Sequence, residues 1–126
     1  MRSVVLCVLL AVGLAGCGED TPPLDKNAVA RGEKVAVNCT PCHSLKSRAV
    51  NVGPPLNDVV GRKAGTSAGY DYSPEMKASG ITWTPAELAR FIQNPIDVVP
   101  GTKMALGPLT PQEASDVVTY LQSLSR

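Results

Sequence analysis

Cys39-Thr40-Pro41-Cys42-His43 sets two thiols three residues apart with an imidazole directly behind the second. Two thioethers to the vinyl groups of a porphyrin and an adjacent axial imidazole are the chemistry this C-x-x-C-H spacing supports: attachment of a c-type haem. The chain holds a single histidine and the motif occurs once, so it attaches one haem at most. Two other chemistries use the same residue types. A thioredoxin-like dithiol needs a strand-to-helix turn inside a βαβ unit, and no β-branched alternating run precedes Cys39. A zinc site usually takes four ligands, whereas Cys39, Cys42 and His43 are the only ones available once the N-terminal leader is removed.

That leader is legible. Arg2 makes a short positive start, Val4 to Leu14 is an apolar run too short to span a bilayer comfortably, and Leu14-Ala15-Gly16-Cys17 follows at once. The tetrapeptide resembles a bacterial lipobox, in which the cysteine is lipidated and becomes the first mature residue. The expectation is therefore a lipoprotein-type signal peptide over residues 1–16 and an acylated N-terminus at Cys17. Ordinary signal cleavage near Gly16, leaving Cys17 a free thiol, is the alternative. Either route exports the chain to the periplasmic side of a membrane, where haem coupling to C-x-x-C-H takes place in the bacterial systems it resembles. With ordinary cleavage the protein is soluble there.

From Cys17 to Arg126 the mature chain has 110 residues, one domain with a modest core. Aromatic bulk is scarce, and a covalently held porphyrin would act as the staple that so small a domain needs. Without Arg2, 11 basic residues face 11 acidic ones, and nothing points to nucleic-acid binding.

The elements that must position the motif are helical. Residues 17–25 read as the modified terminus and a linker, since Gly18 to Leu24 is polar and proline-bearing. The domain, residues 26–126, begins with a helix from about Lys26 to Asn38 capped by Asp25, with Ala28, Val29, Gly32, Val35 and Ala36 on one face. Gly32 costs helix stability, which a close helix-to-helix contact would justify. Residues 44–70 lack periodicity and read as a wrapping loop with one or two helical turns. Three start signals follow: Ser73-Pro74, Thr84-Pro85-Ala86-Glu87 and Thr110-Pro111-Gln112-Glu113, the last two as capping boxes. Leu88, Phe91 and Ile92 form the face of the middle helix, which ends before Pro95. Ala114, Val117, Val118, Leu121 and Leu124 form the face of the last. No segment has strand periodicity, and there is no repeat.

A sixth iron ligand must come from the soft donors. Met76 sits in a short helix and reads as a packed apolar side chain. Met104 ends Pro100-Gly101-Thr102-Lys103-Met104, a loop between helices that can bring a thioether across a porphyrin to face His43. A His/Met pair raises the reduction potential.

Several motifs in order, from Gly32 to Leu121, resemble a class I cytochrome c of the mitochondrial and bacterial soluble-carrier type. They are Gly32-Glu33-Lys34, the C-x-x-C-H, Gly53-Pro54-Pro55-Leu56, Gly61-Arg62-Lys63-Ala64-Gly65 and Gly69-Tyr70-Asp71-Tyr72-Ser73. Gly80-Ile81-Thr82-Trp83, Asn94-Pro95, the loop ending in Met104, and Tyr120-Leu121 complete the series. The resemblance implies an all-α fold of four to five helices around one haem c, covalently bound through Cys39 and Cys42, with the terminal helices crossing at Gly32 and Tyr120.

It further implies that the Pro54 carbonyl accepts the Nδ1 proton of His43, and that Arg62, Tyr72 and Trp83 bind the haem propionates. His43 and Met104 are the implied iron ligands. Phe91 departs from the family, which often has a tyrosine there whose hydroxyl reaches the methionine sulfur. Ala36 stands where an aromatic is common, leaving space that another side chain must fill. Lysines are sparse, and Ile96 and Asp97 stand where basic relatives carry docking lysines.

The expected function is one-electron carriage by a monomer, with no enzymatic activity. Its partners would be a quinol-oxidising complex, a terminal oxidase or a periplasmic reductase, and its membrane contact a lipid anchor at Cys17. A ligand-binding or peroxidatic haem protein would need an open iron position, and a thiol oxidoreductase would need neither Met104 nor the propionate-binding residues.

Overall fold

The computed structural model describes residues 22–125. The signal peptide, Cys17 and most of the linker lie outside the described residues. Five α-helices follow in order: α1 (Lys26–Ala36), α2 (Pro74–Ala78), α3 (Pro85–Gln93), α4 (Pro95–Val98) and α5 (Pro111–Leu124). A 3-10 turn, Val37–Cys39, runs directly out of α1 into the C-x-x-C-H. The first α-helix thus ends two residues short of its expected limit, and the tighter turn delivers Cys39.

Capping explains where the helices begin. The Asp25 carboxylate accepts the Asn27 N–H at 2.9 Å. Thr110 and Glu113 form a full capping box, hydroxyl accepting from Glu113 N at 3.2 Å and carboxylate from Thr110 N at 2.9 Å. The Thr110 backbone N–H also holds the Glu113 carboxyl below its ordinary range. At Thr84 the expected box is only half made. Its hydroxyl accepts from Glu87 N at 3.2 Å, but the Glu87 carboxylate turns to Arg90 at 2.8 Å, and Thr84 N donates instead to the Thr82 carbonyl at 2.7 Å.

α1 crosses α5, and α3 packs beside α5. A Cβ on Gly32 would lie 1.9 Å from the Asp116 carbonyl oxygen and 2.9 Å from Tyr120 Cβ, so the backbones meet closer than any side chain permits. Arg31 closes the crossing with a bidentate pair to Asp116, at 2.7 and 2.9 Å. Ala36 is completely buried.

Two expectations are corrected. α4 was not anticipated: Pro95 both ends α3 and starts a new turn, being well suited to a first helical position. Conversely, residues 44–70 contain no helical turn. Their backbone groups pair across the chain instead. Gly53 N donates to Cys42 O at 2.8 Å and Leu56 N to Ser44 O at 2.8 Å. Gly61 N donates to Trp83 O at 2.7 Å and Ala64 N to Ile81 O at 2.8 Å. An isolated antiparallel bridge, Lys63 to Thr82, is the sole extended pairing among the described residues.

Candidate haem-binding site

The loop and the helices enclose a cavity of about 330 Å³ lined mainly by apolar side chains, with Cys39, Cys42 and His43 on one stretch of its wall and Met104 on another. Both thiols are free. Burial, and then the neighbouring Cys42, pushes the Cys39 thiol up, the reverse of what a nucleophilic dithiol requires.

The imidazole is fixed from two sides. His43 Nδ1 lies 2.6 Å from the Pro54 carbonyl oxygen. That oxygen can only accept, so Nδ1 carries the proton and the Nε2 lone pair is left for a metal. Gly53 supplies the second constraint: a Cβ there would stand 2.4 Å from His43 Cε1. Glycine at this position is a packing requirement of the ring.

Arg62, Tyr72 and Trp83 all line the cavity. The Arg62 guanidinium donates to the Pro55 carbonyl at 2.7 Å and the Asn57 carbonyl at 3.2 Å, which leaves further N–H groups for an anion. Its desolvation lowers the Arg62 pKa from the ordinary value. Arg62 also lines a second cavity, of about 270 Å³, with Arg48, Asp58 and Thr66. Tyr72 meets Tyr70 edge-on at 4.7 Å, and Trp83 leans on Phe91 at 4.9 Å. Met76 is buried as expected, yet it also lines the cavity.

The residues fit a covalently held haem: an apolar enclosure, two thiols, an oriented imidazole, a thioether and a half-buried arginine. Residues 29–125 match the family described as cytochrome c. The chain belongs to the cytochrome c family. It is a class I monohaem c-type cytochrome, an electron carrier with one haem c bound covalently through Cys39 and Cys42.

The cytochrome is 46% identical over 93 residues to cytochrome c2 of Rhodomicrobium vannielii, a match covering 72% of this chain and 74% of the relative. It is 38% identical over 118 residues to cytochrome c2 of Blastochloris viridis, covering 92% and 93%. Among solved structures, cytochrome cH from Methylobacterium extorquens superposes with a TM-score of 0.70 at 40% identity, covering 75% of this chain and 97% of that one.

Two features of this cytochrome were missed by sequence reasoning. Asp71 accepts from Lys77 at 3.1 Å and from Lys103, beside Met104, at 3.2 Å. Arg31 pairs with Asp116, 85 residues away. The one available hint was a carboxylate at position 116 directly before the apolar pair Val117-Val118.

Proposed function

We propose that this cytochrome carries single electrons with its iron held between His43 Nε2 and Met104 Sδ, on the periplasmic side of a membrane to which Cys17 is lipid-anchored. The observation that carries the ligand assignment is the His43 Nδ1 contact to Pro54 O, which dedicates Nε2 to coordination, in a cavity whose wall also includes the Met104 side chain. When bound, the haem supplies the one-electron couple.

The protein's own residues do the rest. Pro54 orients the imidazole and raises its basicity as a ligand. Met104 contributes a soft, uncharged donor that favours the reduced state. Arg62 is the cation available for the propionates, with Tyr72 and Trp83 as hydroxyl and indole N–H donors. The apolar walls formed by Val59, Phe91, Ile92, Val117 and Leu121 exclude water, so the charge change on redox is felt in a low-dielectric site. Membrane-bound or periplasmic redox proteins such as a quinol-oxidising complex, a terminal oxidase or a reductase are the partners that fit a carrier held at that surface.

Met104→Ala tests the ligand assignment. The variant keeps covalent haem, loses the sulfur-to-iron absorption band, binds carbon monoxide readily and has a lower potential. Persistence of that band removes Met104 from the ligand set. Cys17→Ser tests the anchor. The wild-type chain fractionates with membranes and carries acyl mass at Cys17, where two or three chains give stable attachment; the variant is soluble. Identical partitioning, with no lipid in the intact mass, removes the anchor.

A further inference from the structure

Beside the haem cavity lies the second one, of about 270 Å³, and Arg62 lines both. That is far above the roughly 10–15 Å³ that a single water needs. Three groups on its wall have unused hydrogen-bonding capacity. Arg48 is exposed and has neither a hydrogen bond nor an ion pair among the described residues. Arg62 donates to the Pro55 and Asn57 carbonyls, and its remaining N–H groups have no acceptor there. Asn57 Oδ1 is buried with no donor, while Nδ2 of the same amide reaches the Asp58 carboxylate at 3.3 Å. That contact fixes the sense of the amide, so the orphaned atom is an acceptor. Asp58 also lines the cavity and is the one opposing charge, one carboxylate against two guanidiniums.

Guanidinium groups with free N–H edges are the complement of an oxyanion, and a buried acceptor without a donor is costly to leave unpaired. One ligand that answers both carries anionic oxygens together with an O–H. Hydrogen phosphate does. Sulfate at neutral pH has no proton to give, and neither has the phosphodiester of a lipid headgroup. We propose that this cavity binds free hydrogen phosphate, held by Arg48 and Arg62 with its O–H donating to Asn57 Oδ1, and that occupancy lowers the reduction potential through Arg62. The effect on potential rests on the electron-carrier reading, whereas the binding does not. Arg62 is the cation available for the propionates, so an anion on it takes up charge otherwise offered to them. That loss and the anion's own charge both favour the ferric state, which carries one more positive charge. Arg62 is half-buried, so salt screens this coupling less than at an open surface. By linkage the oxidised protein binds phosphate more tightly, by the factor that sets the fall in potential.

Isothermal titration calorimetry of the full-length holoprotein at neutral pH and fixed ionic strength tests this. Oxidised wild type binds one phosphate per chain, and neither sulfate nor dimethyl phosphate, which stands for a lipid headgroup, competes at equal concentration. The reduced protein binds phosphate about fivefold more weakly, the low end of coupling between sites. At 59 mV per tenfold for a one-electron couple, the potential falls by about 41 mV at saturation. Arg48→Gln keeps its haem and its couple, binds phosphate about tenfold more weakly, as loss of a charged hydrogen-bond donor entails, and loses the response of the potential. The control is Lys46→Gln. It removes the same charge from an exposed position that does not line the cavity, so phosphate binding is unchanged.

Absence of saturable phosphate binding overturns the proposal, as does an equal loss in Lys46→Gln or a potential that ignores phosphate. Equal binding of sulfate overturns the role of Asn57, and equal binding of dimethyl phosphate overturns free phosphate in favour of a lipid headgroup as occupant. The carrier reading fails separately: a mediated titration in phosphate-free buffer would then find no reversible one-electron couple, while calorimetry still reports the binding.

Discussion

The Lys103 ammonium donates to both the main-chain carbonyl of Asp71, at 2.5 Å, and its carboxylate, at 3.2 Å, tying the segment before Met104 to the loop that carries Tyr70 and Tyr72. Lys77 reaches the same carboxylate at 3.1 Å. Lys77 and then Lys103 hold the Asp71 carboxyl below its ordinary range. The strap is exposed, so its effect is local. Lys103→Ala, which removes both contacts, accelerates amide hydrogen exchange in residues 101–106 more than Asp71→Asn, which spares the carbonyl. Equal protection in the two variants and wild type would show that the strap holds nothing.

Gly53→Ala drives a methyl group into the His43 ring. Overpacking of this kind costs about 1–3 kcal/mol, and here the strained neighbour is the imidazole. The expected outcome is a lower urea midpoint together with altered haem electronic spectra, because the ring must tilt. A midpoint shift with unchanged spectra would mean that the loop yields in place of the ring.

At Gly32 two effects oppose each other. Replacing a mid-helix glycine by alanine gains roughly 1 kcal/mol of helix propensity. The new Cβ, however, meets backbone at Asp116, which cannot swing aside, and separating α1 from α5 costs about 1–3 kcal/mol or more. Gly32→Ala is therefore destabilising, as read from the urea midpoint, and a stabilised variant would show that the helices part easily.

Asp116 predicts acid sensitivity. Its side chain is 4% exposed, and the Arg31 guanidinium, helped by Gln112, holds its carboxyl below the ordinary range against the opposing effect of burial. A depressed folded-state pKa contributes stability above the unfolded value, about 3.9, and loses it as pH falls through the folded one. Urea unfolding between pH 7 and pH 3 therefore shows a steeper stability loss for wild type than for Asp116→Asn. The variant is already less stable at neutral pH, because Arg31 has lost its ionic partner.

What could be read in the chain follows from how far each interaction reaches along it. Caps and helix faces depend on neighbours three or four residues away, and Asp25, Thr110, Gly32 and the Leu88-Phe91-Ile92 face all stand where local pattern places them. The motif residues Cys39, Cys42, His43 and Met104 likewise share one cavity. The Thr84 box failed because Glu87 had a competing arginine one turn on. Residues 44–70 form the wrapping loop that their lack of periodicity indicated, but without the helical turns expected in it, because backbone groups there pair with Trp83 and Ile81, beyond any local window. Asp71 with Lys103 and Arg31 with Asp116 are 32 and 85 residues apart, and no periodicity marks such pairs.

Seven of the twelve buried residues in the core cluster, among them Val59, Met76, Trp83 and Val117, also line the cavity. The interior is thus a shell rather than a solid, completed by what it encloses. Mutations that would be silent structural drift in an ordinary domain fall here on the immediate surroundings of the redox centre. Selection on thermal robustness and selection on driving force act on the same side chains, so neither can be adjusted across a lineage without moving the other.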